Sequence, residues 1–238
     1  MSSRFNPALG SLASALFVTA VTSLPSNASA GFVRWDHEVI QLASGRVAMN
    51  IYVVVSNPAD RLLMVYDTDI STNAPGGFYQ SQANPFWAPG VQNPANADDS
   101  FLTIGINPNT GLTSSTATGS DPNFVNFNDD GGATEFSTII SVPGSGGAGW
   151  WGTNPLGIFN LPVNGRILAA HFVAGDGVTA PTGVVSWKAT YFLKLANGQN
   201  QYSPTPTQTF HWDGSDTPAP GALVALAALP AFSRRRRA

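Results

Sequence analysis

Between Arg46 and Val55 every second residue is apolar: Val47, Met49, Ile51, Val53 and Val55. A strand turns successive side chains to opposite faces, so this set forms one buried face; a helix would scatter it around its axis. The same alternation runs from Val184 to Leu195 through Val185, Trp187, Ala189, Tyr191, Leu193 and Leu195. No helical period interrupts the series. Phe32 to Leu42, Leu62 to Asp69, Phe101 to Asn107, Glu135 to Val142, Ile167 to Ala174 and parts of Gln199 to Trp212 are rich in β-branched or aromatic residues and read as strands too. The total is about eight strands.

Turn residues separate them at Ser44-Gly45, Asn57-Pro58, Asn107-Pro108, Asn164-Gly165, Asp176-Gly177 and Asn197-Gly198. Asn197-Gly198, flanked by alternating strands, is expected to make a two-residue type I′ hairpin, whose central residues both need positive φ. With 24 glycines, 18 prolines and only 11% charged residues, the chain favours many turns over a salt-bridged helical surface. The expected class is all-β: an antiparallel β-sandwich, jelly-roll or immunoglobulin-like, with a closed barrel as the alternative. Two long irregular stretches, Asn73 to Ser100 and Gly111 to Thr134, are of the kind that carries function. The absence of cysteine excludes disulfides and thiolate metal sites. Between Arg34 and Asp216 lie all fourteen acidic residues against six basic ones, a formal charge of −8 that argues against nucleic-acid binding.

The two ends read differently from the body. Arg4 precedes an uncharged apolar run, Ala8 to Leu24, which Pro25 breaks; Ala28-Ser29-Ala30 then offers the small residues that signal peptidase accepts before Gly31. Residues 1–30 are therefore expected to be a signal peptide and 31–215 the β-domain. Residues 216–238 form a tail in three zones: Pro218-Ala219-Pro220, an apolar helix ending at Phe232, and Arg234, Arg235, Arg236 and Arg237. The arginines would stay on the cytoplasmic side of a membrane. Ala219 to Phe232 would reach about 21 Å as a helix, against a hydrocarbon core of about 30 Å, which suits a transient hold in the inner membrane better than a lasting span.

The order Pro-x-Pro, short Ala/Leu/Gly helix and terminal arginine cluster resembles the PEP-CTERM sorting domains of exosortase-containing bacteria. Ala219 stands where that family usually carries glutamate. Asp69-Ile70-Ser71-Thr72, Gly77-Phe78-Tyr79-Gln80, Asp99 to Gly105 and Gly149-Trp150-Trp151-Gly152-Thr153-Asn154-Pro155 resemble secreted PEP-CTERM proteins of the planctomycete type. The resemblance implies sorting by an exosortase-type transpeptidase or protease and association with exopolysaccharide; it supplies no catalytic residues.

Within the body, Asp67 and Asp69, Asp98 and Asp99, and above all Asn126, Asn128, Asp129 and Asp130 in a Gly-rich loop offer the hard oxygen ligands that calcium takes. The spacing is not that of an EF-hand, and the competing reading is turn capping by Asx side chains. Calcium is the one cofactor these residues bring into question. His37, His171 and His211 lack ligand spacing, and no hydrolase, P-loop or dinucleotide fingerprint occurs, so no catalytic residue is assigned. Trp87, in a long loop, and Trp151, beside glycines, are candidate platforms for sugar rings, weighed against packing in the core. The sequence thus points to an exported, non-enzymatic envelope or extracellular-matrix protein. A carbohydrate-binding module is the alternative, and a polysaccharide hydrolase is the third.

Overall fold

A computed structural model describes residues 31–80, 87–88, 96–106, 118–120, 135–137, 148–153, 161–175 and 181–216. The signal-peptide and tail expectations, apart from Gly31 and Asp216, lie outside these residues. Among the described residues the chain is all-β, with twelve strands: β1 Phe32–Gln41, β2 Val47–Val55, β3 Arg61–Thr72, β4 Phe78–Gln80, β5 Phe101–Leu102, β6 Thr118–Ser120, β7 Glu135–Ser137, β8 Trp150–Gly152, β9 Arg166–Val173, β10 Val184–Lys194, β11 Asn200–Pro204 and β12 Gln208–His211. Every pairing is antiparallel. A first sheet has the order β1-β2-β9-β5 and a second β11-β10-β3-β8-β6, with β12 also on β10; β4 and β7 form a separate pair.

The expected alternation is what faces the two sheets toward each other. Met49, Ile51, Val53 and Val55 from β2 and Val185, Trp187, Ala189, Tyr191 and Leu193 from β10 share one buried cluster. Across it Trp35 meets Trp187 edge-on with centroids 5.0 Å apart, and Phe32 stacks on Tyr191 at 4.1 Å. Burying a large apolar side chain contributes on the order of 2–3 kcal/mol. These two alternating strands and the aromatics between them therefore carry much of the stability.

Three departures from regular pairing shape the second sheet, one of them the extra residue Leu63 between the Phe192–Met64 and Leu193–Leu62 pairs of β10 and β3. β11 and β12 run along one edge of β10, and Thr205-Pro206-Thr207 between them opposes only Lys188 and Ala189, a one-residue bulge. The Thr205 amide and hydroxyl both donate to the Ala189 carbonyl, at 3.1 and 2.7 Å, and its Oγ1 accepts Trp35 Nε1–H at 2.9 Å, tying the second sheet to the first. In β3 the register with β10 slips where Asp67 adopts φ +51°. Gly149 lies against that bulge: a Cβ there would come within 2.7 Å of Tyr66 Cβ and 2.8 Å of the Val65 carbonyl.

The structure corrects several expectations. Twelve strands replace about eight, because Phe78–Gln80, Thr118–Ser120 and Trp150–Gly152 are too short to show a period. The strand expected over Phe101 to Asn107 keeps only Phe101–Leu102, since Gly105 turns the chain at φ +80° and Thr103 Oγ1 accepts the Ile106 amide. The type I′ hairpin sits at Asn164-Gly165, with φ of +54° and +78° and reciprocal Val163–Arg166 backbone bonds. At Asn197-Gly198 only the glycine takes positive φ, and the Gly198 amide bonds the Leu195 carbonyl. That loop is the longer kind in which a type I turn is closed by glycine.

Candidate functional site

Alternation that buries one face of β10 sends Ser186, Lys188, Thr190, Phe192 and Lys194 to the other, the outer face of the second sheet. Phe192 is paired with Tyr202 of β11 on one side and Met64 of β3 on the other; Met64 is paired with Trp151 of β8, and Trp151 with Gly119 of β6. Directly paired residues share a face, so Tyr202, Phe192, Met64 and Trp151 form one row across four strands. Three strand intervals of about 4.8 Å make the row about 14 Å long.

The row is open. Tyr202 is 65% and Trp151 38% exposed, two of the four exposed large apolar side chains among the described residues. Phe192 and Tyr202 lie nearly parallel, 17° apart with centroids at 6.1 Å, so their rings form a continuous surface. At the far end Gly119 is the floor for Trp151: a Cβ there would be 2.6 Å from the indole. Trp150, the preceding residue, points inward, is fully buried and donates from Nε1 to the Thr103 carbonyl at 2.9 Å. The strand thus anchors one indole and presents the next. Charged pairs flank the row on the same face. Lys188 is paired with Asp69, whereas Lys194 is paired with Arg61 on β3 and with Asn200 on β11.

The outer face of the first sheet is built differently. Asp36, 3% exposed, accepts from Arg34 and Arg166, which approach its Oδ2 at 3.3 and 2.5 Å. Tyr52 donates to Glu38 Oε2 at 3.1 Å and lies under the Arg166 guanidinium, 5.3 Å from the ring centre. Burial, then the Glu38 carboxylate, pushes the Tyr52 phenol well above its ordinary range. His171 is buried between Asn50, 2.6 Å from Nδ1, and the Ala97 carbonyl, 3.0 Å from Nε2, with Phe101 stacked on it. Burial lowers its pKa to about 4 despite the opposing pull of the Ala97 carbonyl, Asp98 and Asp99. Its ring is therefore neutral at pH 7, a structural histidine.

Of the two sugar-platform candidates, Trp151 lies in the exposed row, and Trp87 does not join it. Trp87 is 1% exposed and packs edge-on against Phe78 in the core, where no ring face meets solvent. Asn126, Asn128, Asp129 and Asp130 lie outside the described residues, as do Ala28, Ala30, Pro218, Ala219, Pro220 and Arg234 to Arg237. Gly31 donates its amide to Ser56 Oγ at 3.0 Å beside β1. Asp98 accepts from Ser44 Oγ at 2.6 Å, and Asp67 sits at the β3 bulge. Among the described residues no three histidine, aspartate or glutamate side chains gather as a metal-ligand group. Tyr202, Phe192 and Met64 went unrecognised in the sequence. The available signal was an aromatic, Phe192, on the polar parity of an otherwise clean alternation.

No protein-family model, curated protein or solved structure matches the chain.

Proposed function

We propose that this is a non-enzymatic exported protein of the cell envelope or extracellular matrix whose β-domain holds polysaccharide on the outer face of its second sheet. The single observation that carries the reading is the row Tyr202, Phe192, Met64, Trp151. Pyranose rings present flat arrays of polarised C–H groups, and the electron-rich faces of aromatic rings attract them while excluding water. A ribbon-like chain lying across the strands would meet a ring or thioether at each strand, over a length of about 14 Å. Large exposed apolar area on a soluble domain is usually an interaction surface. The terminal segments support the other half of the reading: the signal-peptide pattern accounts for export, and the Pro218–Arg237 tail for exosortase-type sorting and a transient stay in the inner membrane. In the same reading the two facing sheets are a sandwich of jelly-roll or immunoglobulin-like topology.

Trp151 makes the test direct. The other tryptophans, Trp35, Trp87, Trp150, Trp187 and Trp212, are all at most 2% exposed, so acrylamide quenching of the full chain reports on Trp151. Titration with soluble alginate, xylan, hydroxyethylcellulose and dextran is expected to protect that fluorescence with at least one polymer, and Trp151→Ala and Tyr202→Ala to abolish retardation in gels containing it. Absence of protection and retardation with all four polymers would return the row to a packing role. Mass spectrometry of the protein from its host tests the sorting half: a soluble cytoplasmic chain still ending in the arginines would overturn it.

A further inference from the structure

We infer that the row takes a single extended polysaccharide chain, one pyranose to each strand, and selects dissolved or swollen chains against the flat faces of crystalline polymers; this rests on the glycan reading above. The ring surface is one residue wide. On β10 and β11 the next residues of the same face are Lys194 and Asn200 on one side of the Phe192–Tyr202 pair and Thr190 and Pro204 on the other. Lys194 Nζ donates to Asn200 Oδ1 at 3.3 Å, so the first border is polar, and Thr190, on the second, is buried. Same-face neighbours stand about 7 Å apart along a strand, so a row about 14 Å long covers on the order of 100 Å². A stable contact between proteins buries about 800 Å² on each partner. The row is therefore too small to seat a second copy of this chain, and it fits a ligand one sugar ring across.

At the Trp151 end the indole extends the surface toward β6. The position that a Gly119 Cβ would take is 2.6, 2.6 and 2.9 Å from Cε2, Nε1 and Cζ2 of that ring. Nearly equal distances to three consecutive ring atoms place the point beneath the ring face and not beyond its edge. A strand's Cβ stands out from the sheet, so the indole lies along the sheet over β6 with its outer face to solvent; the residue is 38% exposed. Successive residues of the row are about 4.8 Å apart, close to the advance of one pyranose along an extended chain. One sugar per strand therefore stays in register from Tyr202 to Trp151, whereas a coiled chain would lift away after one or two.

The row is level from strand to strand but not planar. Neighbouring strands of a sheet turn by about 20–25°, and the rings of Phe192 and Tyr202, on neighbouring strands, lie 17° apart, about one such step. From β11 to β8 three steps amount to about 60–75°. A crystal face is rigid and planar and would touch such a row at one or two residues. A separate chain rotates about its glycosidic bonds and follows the turn.

The experiment is depletion of the full chain from solution by cellulose and by chitin, each as crystalline powder and as an acid-swollen gel, with affinity electrophoresis in xylan and alginate beside it. Dissociation constants are compared, not capacities, because a gel offers more surface. A swollen gel is expected to bind at least about tenfold more tightly than the powder of the same polymer, about 1.4 kcal/mol, or a dissolved polymer to retard the protein where neither powder binds it. Oligomers of the polymer that binds, two to six sugars long, are expected to compete more strongly up to about four sugars, one for each strand of the row, and little more beyond. Tyr202→Ala and Trp151→Ala should abolish binding, and Val163→Ala, on the hairpin before β9 and 75% exposed, should leave it unchanged. Far-ultraviolet circular dichroism and the melting temperature confirm that each variant folds, and Tyr202→Ala alone serves if Trp151→Ala does not. Powder bound as tightly as gel, or oligomer affinity complete at two sugars or still climbing at six, would overturn the single-chain inference and leave the glycan reading standing. Binding to none of the polymers would overturn the glycan reading itself. Self-association that Trp151→Ala abolishes, without polymer binding, would make the face a contact between copies and overturn both.

Discussion

The two outer faces of this molecule use polar and aromatic residues in opposite ways. On the first sheet every notable group is matched: Asp36 with Arg34 and Arg166, Tyr52 with Glu38, His171 with Asn50 and the Ala97 carbonyl. Much of that face is closed, with Asp36 and His171 at most 3% exposed. On the second sheet the aromatics Tyr202 and Trp151 are open to solvent. The first arrangement stabilises the fold; the second presents ring faces to solvent. A face satisfied internally should respond to mutation and pH in stability, and an open face in binding.

The largest effect expected is the pH response of the closed face. The His171 pKa falls from an ordinary 6.5 to about 4 in the folded protein, because burial disfavours the charged ring. Between those values the unfolded chain binds the proton and the folded one does not, so stability is full above pH 6.5 and is lost as pH falls toward 4. The slope is about 1.4 kcal/mol per pH unit, or about 3 kcal/mol across the window. His37 has the same sign: burial lowers its pKa against the opposing Asp216 carboxylate, 3.0 Å away. Urea midpoints at pH 7.0, 6.0 and 5.0 check this, and His171→Gln should flatten the dependence. A midpoint independent of pH over this range would show that the closed face does not hold its histidine neutral.

Next in size is Asp36→Ala. Removing the carboxylate strands two guanidiniums that converge on it, but both arginines are about one-third exposed and regain water. The expected loss is about 2 kcal/mol, below the value for a fully buried pair. It should appear in the denaturation midpoint and leave polymer binding unchanged, which is the division between the faces that the comparison requires.

How much of this was legible beforehand follows from the length over which each signal persists. β2 and β10 announce themselves because nine and eleven residues give several full periods of two, and their inward sets are the ones found in the core. Trp150–Gly152 and Thr118–Ser120 give barely one period, and only partners distant in sequence make them strands. Trp151 was legible as a residue of interest but not as part of a surface, because its row comes from four strands whose registers depend on the bulges at Asp67 and Thr205. Trp87 shows the converse. Its place in a Gly- and Pro-rich stretch suggested exposure, yet its indole fills the core beside Phe78. The type I′ turn turned on one dihedral, the φ of Asn197 against that of Asn164, which no dipeptide pattern distinguishes.

On the open face Trp151→Ala should move stability by about 1 kcal/mol or less, because the indole is 38% exposed and leaves no sealed cavity. The same substitution should abolish polymer retardation. Loss of stability comparable with Asp36→Ala would place Trp151 among the packing residues and erase the distinction between the faces.

The smallest stability effect is expected from Gly119→Ala, and it isolates position from chemistry. Gly119 does not have the positive φ that would exclude a side chain, and alanine is at least as favourable as glycine in a strand, so the backbone has no reason to object. The new Cβ would meet only the Trp151 ring among its nearest contacts, at 2.6 to 2.9 Å. The indole, 38% exposed, can tilt away, so the melting temperature should change little, within about 0.5 kcal/mol in stability. The ring would then stand out of line with Met64 and Phe192. Acrylamide should quench it more readily, and polymer binding should fall part of the way toward that of Trp151→Ala. If binding survives while quenching rises, an indole anywhere near this spot suffices and the alignment across the strands is incidental; if both are unchanged, Gly119 does not set the ring's position. A fall in binding at constant stability would mean that the flatness of the row, held by a missing side chain on the neighbouring strand, is what the ligand reads.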